Sequence, residues 1–99
     1  MTKRPLSGHR EAAESLAIQA LSFIAGEPER LGRFLAISGI GPEQIRAAAQ
    51  EPLFLAGVLD HIASDERLLM AFAVETGIDP AAIGKARTAL GGRAEDAGM

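Results

Sequence analysis

The chain contains no cysteine, tryptophan or tyrosine, and its only aromatic residues are four phenylalanines. Without cysteine it can form neither disulfides nor thiolate metal sites, and it has no thiol nucleophile. It also lacks a long apolar segment, because the longest uninterrupted run covers only residues 68–74, whereas crossing a bilayer takes about 20 residues. The basic N-terminus is not followed by the apolar stretch of a secretory signal. We therefore expect a cytoplasmic protein with no membrane partner.

Charge of either sign is not concentrated in the sequence. Thirteen acidic residues oppose ten basic ones, which gives a net charge of −3 and an isoelectric point of about 5.3. A mildly acidic surface is poorly suited to holding phosphate backbones. The composition therefore argues against nucleic acid as a partner.

Leucine, isoleucine and alanine supply most of the apolar residues, and together they favour helices over strands. Apolar residues at helical spacing, interrupted by glycine and proline, predict a series of short helices. Many of these helices end or begin near a glycine or a proline. The segments are residues 10–25, 28–38, 42–50, 52–63, 65–76 and 80–90. We expect one helical domain over residues 10–90, with flexible tails at 1–9 and 91–99.

The fifth segment has no polar face, because residues 68–74 are apolar in every direction around a helix. A helix that is apolar all round must be surrounded by other elements. The sequence therefore predicts an all-α fold, a single compact orthogonal bundle of five or six short helices around a central apolar helix at about residues 65–76.

Two corners resemble each other: Gly39-Ile40-Gly41-Pro42 recurs 38 residues later as Gly77-Ile78-Asp79-Pro80. Each can close one helix with a left-handed glycine and start the next with proline. The recurrence fits a duplicated helix–corner–helix unit, and equally fits a convenient way to build any helical corner.

The first corner is similar to the hairpin of helix-hairpin-helix DNA-binding modules, which present backbone N–H groups to a phosphate. The residues involved would be Gly39, Gly41, Gln44 and Arg46. Glu43 stands where that family usually carries a lysine or a small polar donor, and its carboxylate would repel phosphate. Weak binding of a nucleic-acid backbone through residues 38–46 is thus the alternative function.

A few apolar residues fall outside the predicted buried stripes. Ile18 lies opposite the apolar stripe of the first helix and Leu21 lies at its edge, and Ile37 shares the outer face of the second helix with Arg30 and Arg33. Either a second neighbour within the domain covers the aliphatic residues, or they face a partner. Arginine beside exposed aliphatic residues suits an interface. We therefore predict a module for protein–protein interaction or self-association, with these five residues at the interface and an unidentified protein or a second copy as the partner.

No arrangement of residues predicts catalysis. The only histidines are His9 and His61, and His61 with Asp60 or Asp65 offers too few ligands for a catalytic metal. A serine nucleophile would need a histidine base and a group that orients it, and no serine has a recognisable elbow around it. We predict a non-catalytic protein with no metal and no cofactor.

Three segments carry a resemblance that covers residues 13–90. They are GRFLA-x-[ST]-G at residues 32–39, PLFLAGVLD at residues 52–60 and the corner GIDP at residues 77–80. With them the chain resembles a family of small, mostly alphaproteobacterial proteins, the domain of unknown function 3572 family. The resemblance implies a compact helical domain in a bacterial cytoplasm and assigns no catalytic residue.

Overall fold

The computed structural model describes residues 5–91, with side chains from residue 10 onward. Within this range the chain forms six α-helices and no strand, which confirms the all-α fold class. The helices are α1 (Pro5–Ala25), α2 (Pro28–Ser38), α3 (Ile45–Ala48, preceded by a 3₁₀ turn at Pro42–Gln44), α4 (Pro52–Ala63), α5 (Glu66–Thr76) and α6 (Pro80–Ala89). α1 begins at Pro5 rather than at about Arg10. Of the two predicted tails, residues 1–4 and 92–99 lie outside the described residues.

Left-handed glycines end α2 and α5, as the sequence predicts. Gly39 has φ 79° and Gly77 has φ 76°, and both follow a helix whose last turn they close. The Gly39 N–H donates to the carbonyl of Leu35, and the Gly77 N–H donates to the carbonyl of Ala73. Both corners therefore share one backbone solution, in which glycine avoids the steric cost of a Cβ at positive φ.

Aspartate side chains cap the N-termini of α5 and α6. Asp65 accepts hydrogen bonds from the backbone N–H groups of Arg67 and Leu68 at 3.1 and 3.2 Å. Asp79 accepts one from the N–H of Ala81 at 2.9 Å. Each carboxylate satisfies donors that a helix start leaves without a partner, so the starts of α5 and α6 are fixed by local sequence.

The centre of the bundle is α4, which packs against α1, α6 and α5. Its buried side is continuous, since the side chains that lie in the core recur along one face of the helix. They are Leu55, Ala56, Val58, Leu59 and Ile62. The opposing surface comes mainly from α1 and α6, and Phe72 of α5 completes it by meeting Phe23 of α1 edge to face, with ring centroids 5.3 Å apart.

The expectation that residues 65–76 form the central helix is wrong. In α5 only Phe72 is fully buried, while Met70 is about half exposed and the side chain of Val74 is 80% exposed. α5 lies at the edge of the bundle, against α4 on one side. An apolar helix surface is buried only when another helix reaches it, and in the described part of the chain no helix covers the outer side of α5.

Alanine substitutions of two glycines test the backbone conformation, because they should change the free energy of unfolding in opposite directions. Gly39→Ala should lower the free energy of unfolding by about 1 kcal/mol, because alanine is strained at positive φ. Gly84→Ala should raise it by about 0.5–1 kcal/mol, because Gly84 lies inside α6 and a Cβ there would meet nothing within 4 Å. Urea denaturation of the two variants measures both changes, and shifts of the same sign would contradict the assignment.

Candidate functional site

The outward side of α4 forms one wall of an open groove. Leu53, Gly57, Asp60 and Ser64 recur at spacings of four, three and four residues, opposite the buried side of the helix. α2 supplies the other wall. The space between the helices is about 510 Å³, and we call it the α2–α4 groove. Its lining is Phe34, Ile37 and Ser38 from α2, with Leu53, Phe54, Gly57, Asp60, His61 and Ser64 from or just after α4.

Aromatic rings join the two walls. The ring of Phe34 on α2 packs edge to face against Phe54, with centroids 5.9 Å apart, and against His61, with centroids 5.1 Å apart. Phe34 is buried, whereas Phe54 and His61 are partly exposed. Edge-to-face contacts favour one relative orientation of the rings, in addition to burying their apolar surface. The groove therefore has a fixed floor.

Large aliphatic side chains stand exposed on both walls. Ile37 is 68% exposed on α2, and Leu53 is 70% exposed on α4. Exposed aliphatic residues are common singly, but these two line the same depression above an aromatic floor. Together they give the groove two apolar anchors.

A glycine inside α4 keeps the groove deep. Gly57 lies in the middle of the central helix, where a Cβ would meet nothing within 4 Å. Glycine in a helix interior costs about 0.5–1 kcal/mol relative to alanine, and no contact in the domain requires it. The missing side chain instead leaves the backbone of α4 accessible from the groove.

A smaller depression of about 250 Å³ adjoins the groove and shares His61 with it. We call it the charged end. Three arginines and three carboxylates line it, from the start of α2 and the start of α5. They are Arg30, Arg33 and Arg67, with Glu27, Glu29 and Asp65.

Several of these charges are already engaged. The guanidinium of Arg30 lies 4.2 Å from the ring centroid of Phe23, and its Nε is 4.0 Å from a carboxylate oxygen of Glu27. Asp65 is the cap of α5. Arg33, Arg67 and Glu29 form no ion pair with any residue that the structure describes. These three side chains are exposed, and the side chain of Glu27 is itself 55% exposed.

The imidazole of His61 lies where the groove meets the charged end. Its burial against Phe34 lowers the pKa of His61 below the ordinary value of 6.5; the carboxylate of Asp65 acts in the opposite direction, and the guanidinium of Arg33 adds to the lowering. The neutral imidazole is therefore the main form at pH 7.

Asp60 lies at the groove edge, and its carboxylate is bound by a residue of α6 that does not line the groove. The Nε of Arg87 on α6 donates to its carboxylate at 2.8 Å. The Arg87 side chain is 19% exposed, and its Nη1 is buried without a hydrogen-bond partner among the described residues. The pair ties α6 to α4 and neutralises the one carboxylate that lines the groove.

The five residues predicted at an interface do not form one surface. Ile37 lies on the groove, and Arg30 and Arg33 lie at its charged end. Leu21 is only 7% exposed and packs in the core, so its assignment to a surface is wrong: its position at the edge of the stripe is covered within the domain. Ile18 is 42% exposed, but it lines a separate depression between α1 and α5.

The sequence reasoning missed most of the α4 wall. It assigned none of Leu53, Phe54 and Gly57 to a site, and all three line the groove. A signal was present, since the recurrence of Leu53, Gly57, Asp60 and Ser64 marks one continuous strip of a helix. An apolar residue at the end of that strip, with glycine one turn later, indicates an open surface rather than a packed one.

The corner at residues 38–46 has a geometry that does not favour phosphate. The Gly41 N–H, which a hairpin of this kind would offer to a phosphate, donates to the side-chain oxygen of Gln44 at 2.7 Å. The carboxylate of Glu43 folds over Gly41, so that a Cβ on Gly41 would lie 2.9 Å from its Oε2. Gly39 ends α2, and Arg46 is exposed on the four-residue α3.

A larger depression of about 830 Å³ lies between α1 and α6. Its walls are mostly alanine, and Leu16 and Lys85 are its largest side chains. None of the exposed large aliphatic residues lines it. It therefore lacks the anchors that the α2–α4 groove has on both walls.

Two other kinds of site can be addressed for residues 5–91. Among residues 10–91, whose side chains the structure describes, no three histidine, aspartate or glutamate side chains lie close enough to hold a metal ion. None of its helices combines the length and the apolar character needed to cross a membrane.

The described residues form a small all-α domain with an open groove between α2 and α4. A family model described as "Protein of unknown function (DUF3572)" matches residues 10–93. The chain belongs to this family, as the resemblance in the sequence implies. No curated protein and no solved structure matches the chain.

The ion pair between α4 and α6 predicts different effects for two substitutions of Asp60. Asp60→Ala should lower the free energy of unfolding by about 1–2 kcal/mol, because it leaves the mostly buried guanidinium of Arg87 without its acceptor. Asp60→Asn keeps an acceptor and should cost less. Chemical denaturation compares the two variants, and an equal loss would show that the charge rather than the hydrogen bond matters.

The lowered pKa of His61 predicts that acid weakens the fold. The unfolded state takes up a proton at about pH 6.5, before the folded state does, so the free energy of unfolding should fall as pH drops through 6.5. The matched variant His61→Gln should lose this component. Thermal unfolding of both proteins between pH 8 and pH 5 measures the difference, and parallel pH profiles would contradict a lowered pKa of His61 in the folded state.

Proposed function

We propose that this domain is a protein-interaction module that binds a segment of a partner protein in the α2–α4 groove. The observation that carries the proposal is the pair of exposed aliphatic side chains, Ile37 and Leu53, on opposite walls of one depression with an aromatic floor. Docking sites generally combine a desolvated apolar centre with a polar rim. In this groove Ile37, Leu53 and Phe54 are the centre, and Ser38, Asp60 and Ser64 are the rim.

The size of the apolar contribution is consistent with a reversible complex. Covering the exposed parts of Ile37 and Leu53 would contribute about 2–4 kcal/mol together, from about 1.5–3 kcal/mol for burying one such side chain fully. A micromolar complex requires about 8 kcal/mol. The two anchors therefore supply a substantial part of the affinity, and the floor and rim must supply the rest.

Gly57 supports binding of a bulky segment. A ligand can approach the backbone of α4 at this position because no side chain occupies the space. A bulky side chain of an occupant therefore has room at residue 57.

The test removes the anchors without changing charge. Ile37→Gln with Leu53→Gln should abolish capture of the partner from lysate of the source organism, because the apolar centre is lost. Exposed positions tolerate such changes within about 0.5 kcal/mol each, so the fold should persist. The matched control is Met70→Gln with Val74→Gln, two exposed residues on α5 that do not line the groove.

Quantitative mass spectrometry of nuclease-treated captures reads the outcome. The wild type and the α5 control should recover the same protein, with at least tenfold less recovered by the groove variant. Equal recovery by all three baits would place binding elsewhere. Recovery that disappears with nuclease would contradict the proposal, as would a bait that recovers no protein and remains monomeric in sedimentation velocity.

A further inference from the structure

His61 is the one residue that lines both the α2–α4 groove and the charged end. Its imidazole packs against the ring of Phe34, with centroids 5.1 Å apart, and its side chain remains partly exposed. Gly57, where the backbone of α4 is open to the groove, precedes His61 by one helical turn, about 6 Å along the helix. An occupant that packs at Gly57 therefore reaches the imidazole as well.

The groove has one group that ordinarily changes charge between pH 5 and pH 8, and it is this imidazole. The other ionisable side chain among the lining residues is Asp60, which accepts a hydrogen bond from the guanidinium of Arg87 on α6 at 2.8 Å. The protonation of His61 therefore decides the charge that an occupant of the groove meets in this pH range.

The fixed charges around the imidazole carry both signs and come from the two helices packed beside it. They are Glu27, Glu29, Arg30 and Arg33 from the start of α2, with Asp65 and Arg67 from the start of α5. The three carboxylates balance the three guanidinium groups. Burial is accordingly the largest influence on His61, and it lowers the pKa of His61 below 6.5.

An apolar occupant would extend this burial. An imidazolium covered by apolar side chains loses hydration that the occupant does not replace, whereas a neutral imidazole loses much less. The pKa of His61 is therefore lower in the occupied groove than in the free groove. By linkage, affinity is fully present above the pKa of the free protein and is lost as pH falls through that value.

We infer that the α2–α4 groove is a pH-sensitive docking site, in which an apolar occupant binds the neutral form of His61 and protonation of the imidazole weakens its binding. When the occupant binds at mildly acidic pH, the imidazolium releases its proton to solvent. The inference rests on the proposed function, because it concerns the segment that packs between Ile37 and Leu53.

The probe is a peptide selected by phage display at pH 8. The library consists of 16-residue peptides with leucines at helical spacing, and it omits aspartate, glutamate, histidine and cysteine so that no probe side chain titrates between pH 5 and pH 8. Selection on the wild type is followed by removal of peptides that bind Ile37→Gln with Leu53→Gln. The retained peptide is synthesised with blocked termini, which removes its remaining titratable groups.

Fluorescence anisotropy gives the Kd of this peptide at pH 8, 7, 6 and 5 for the wild type, His61→Gln and His9→Gln. The Kd of the wild type should rise between pH 8 and pH 5 by about threefold to thirtyfold, the upper limit for one proton whose pKa lies below 6.5. For His61→Gln it should change less than twofold, whatever its value at pH 8. His9→Gln, the matched control, removes the only other histidine and should respond as the wild type does.

A second measurement needs no variant at His61. Proton and nitrogen NMR of the imidazole follows its titration in the wild type, with and without saturating peptide, over the pH range in which circular dichroism shows the fold intact. The pKa of His61 should be lower in the complex. An equal or higher pKa in the complex would overturn the inference even if His61→Gln fails to fold.

The remaining outcomes separate the inference from the proposed function. A peptide that requires Ile37 and Leu53 but binds the wild type equally at pH 8 and pH 5 would overturn the pH dependence and leave the proposed function standing. A pH response that persists in His61→Gln would also overturn the inference. If no peptide prefers the wild type to the anchor variant, both are overturned.

Discussion

Packing of α4 against α1 and α6 is the contact on which the rest of the structure depends. The side chains of Val58, Leu59 and Ile62 are fully buried there, and removing any one of them would open a cavity in the only core that the described residues contain. Because one side of α4 is committed to the core, its other side is fixed in space. One wall of the α2–α4 groove is that other side, so the helix at the centre of the core also positions the candidate site.

α2 reaches the core differently. It follows α1 after a short turn and packs against it, and its only fully buried residue is Phe34. The aromatic contacts of Phe34 with Phe54 and His61 take the place of a close packing between the backbones of α2 and α4. Because aromatic rings connect α2 to α4, the two helices stay far enough apart to leave an open space above the rings. That space is the groove.

The helix boundaries were predictable because they are set locally. Gly39 and Gly77 end helices by their backbone freedom, and Asp65 and Asp79 start them by hydrogen bonds over two or three residues. Which helix lies at the centre was not predictable in this way. Residues 68–74 are uniformly apolar, but burial depends on neighbours that are distant in sequence, and those neighbours surround α4 instead.

The candidate site was predicted only in part, for the same reason. Ile37, Arg30 and Arg33 stood out because they interrupt an apolar pattern on one helix. Leu53 did not stand out, because it lies in the first turn of a helix that is rich in leucine. Only the position of α2 shows that Leu53 is exposed. Leu21 shows the converse error. It lies at the edge of the apolar stripe of α1, and another helix covers it, which the spacing of residues along α1 could not reveal.

Gly57 has a practical consequence. The chain has no cysteine, and position 57 has open space around it. A single thiol introduced there would be the only one in the protein, and it would point into the groove from the α4 wall. A fluorophore attached to that thiol would report on polarity inside the groove and on its occupancy, without a label anywhere in the core.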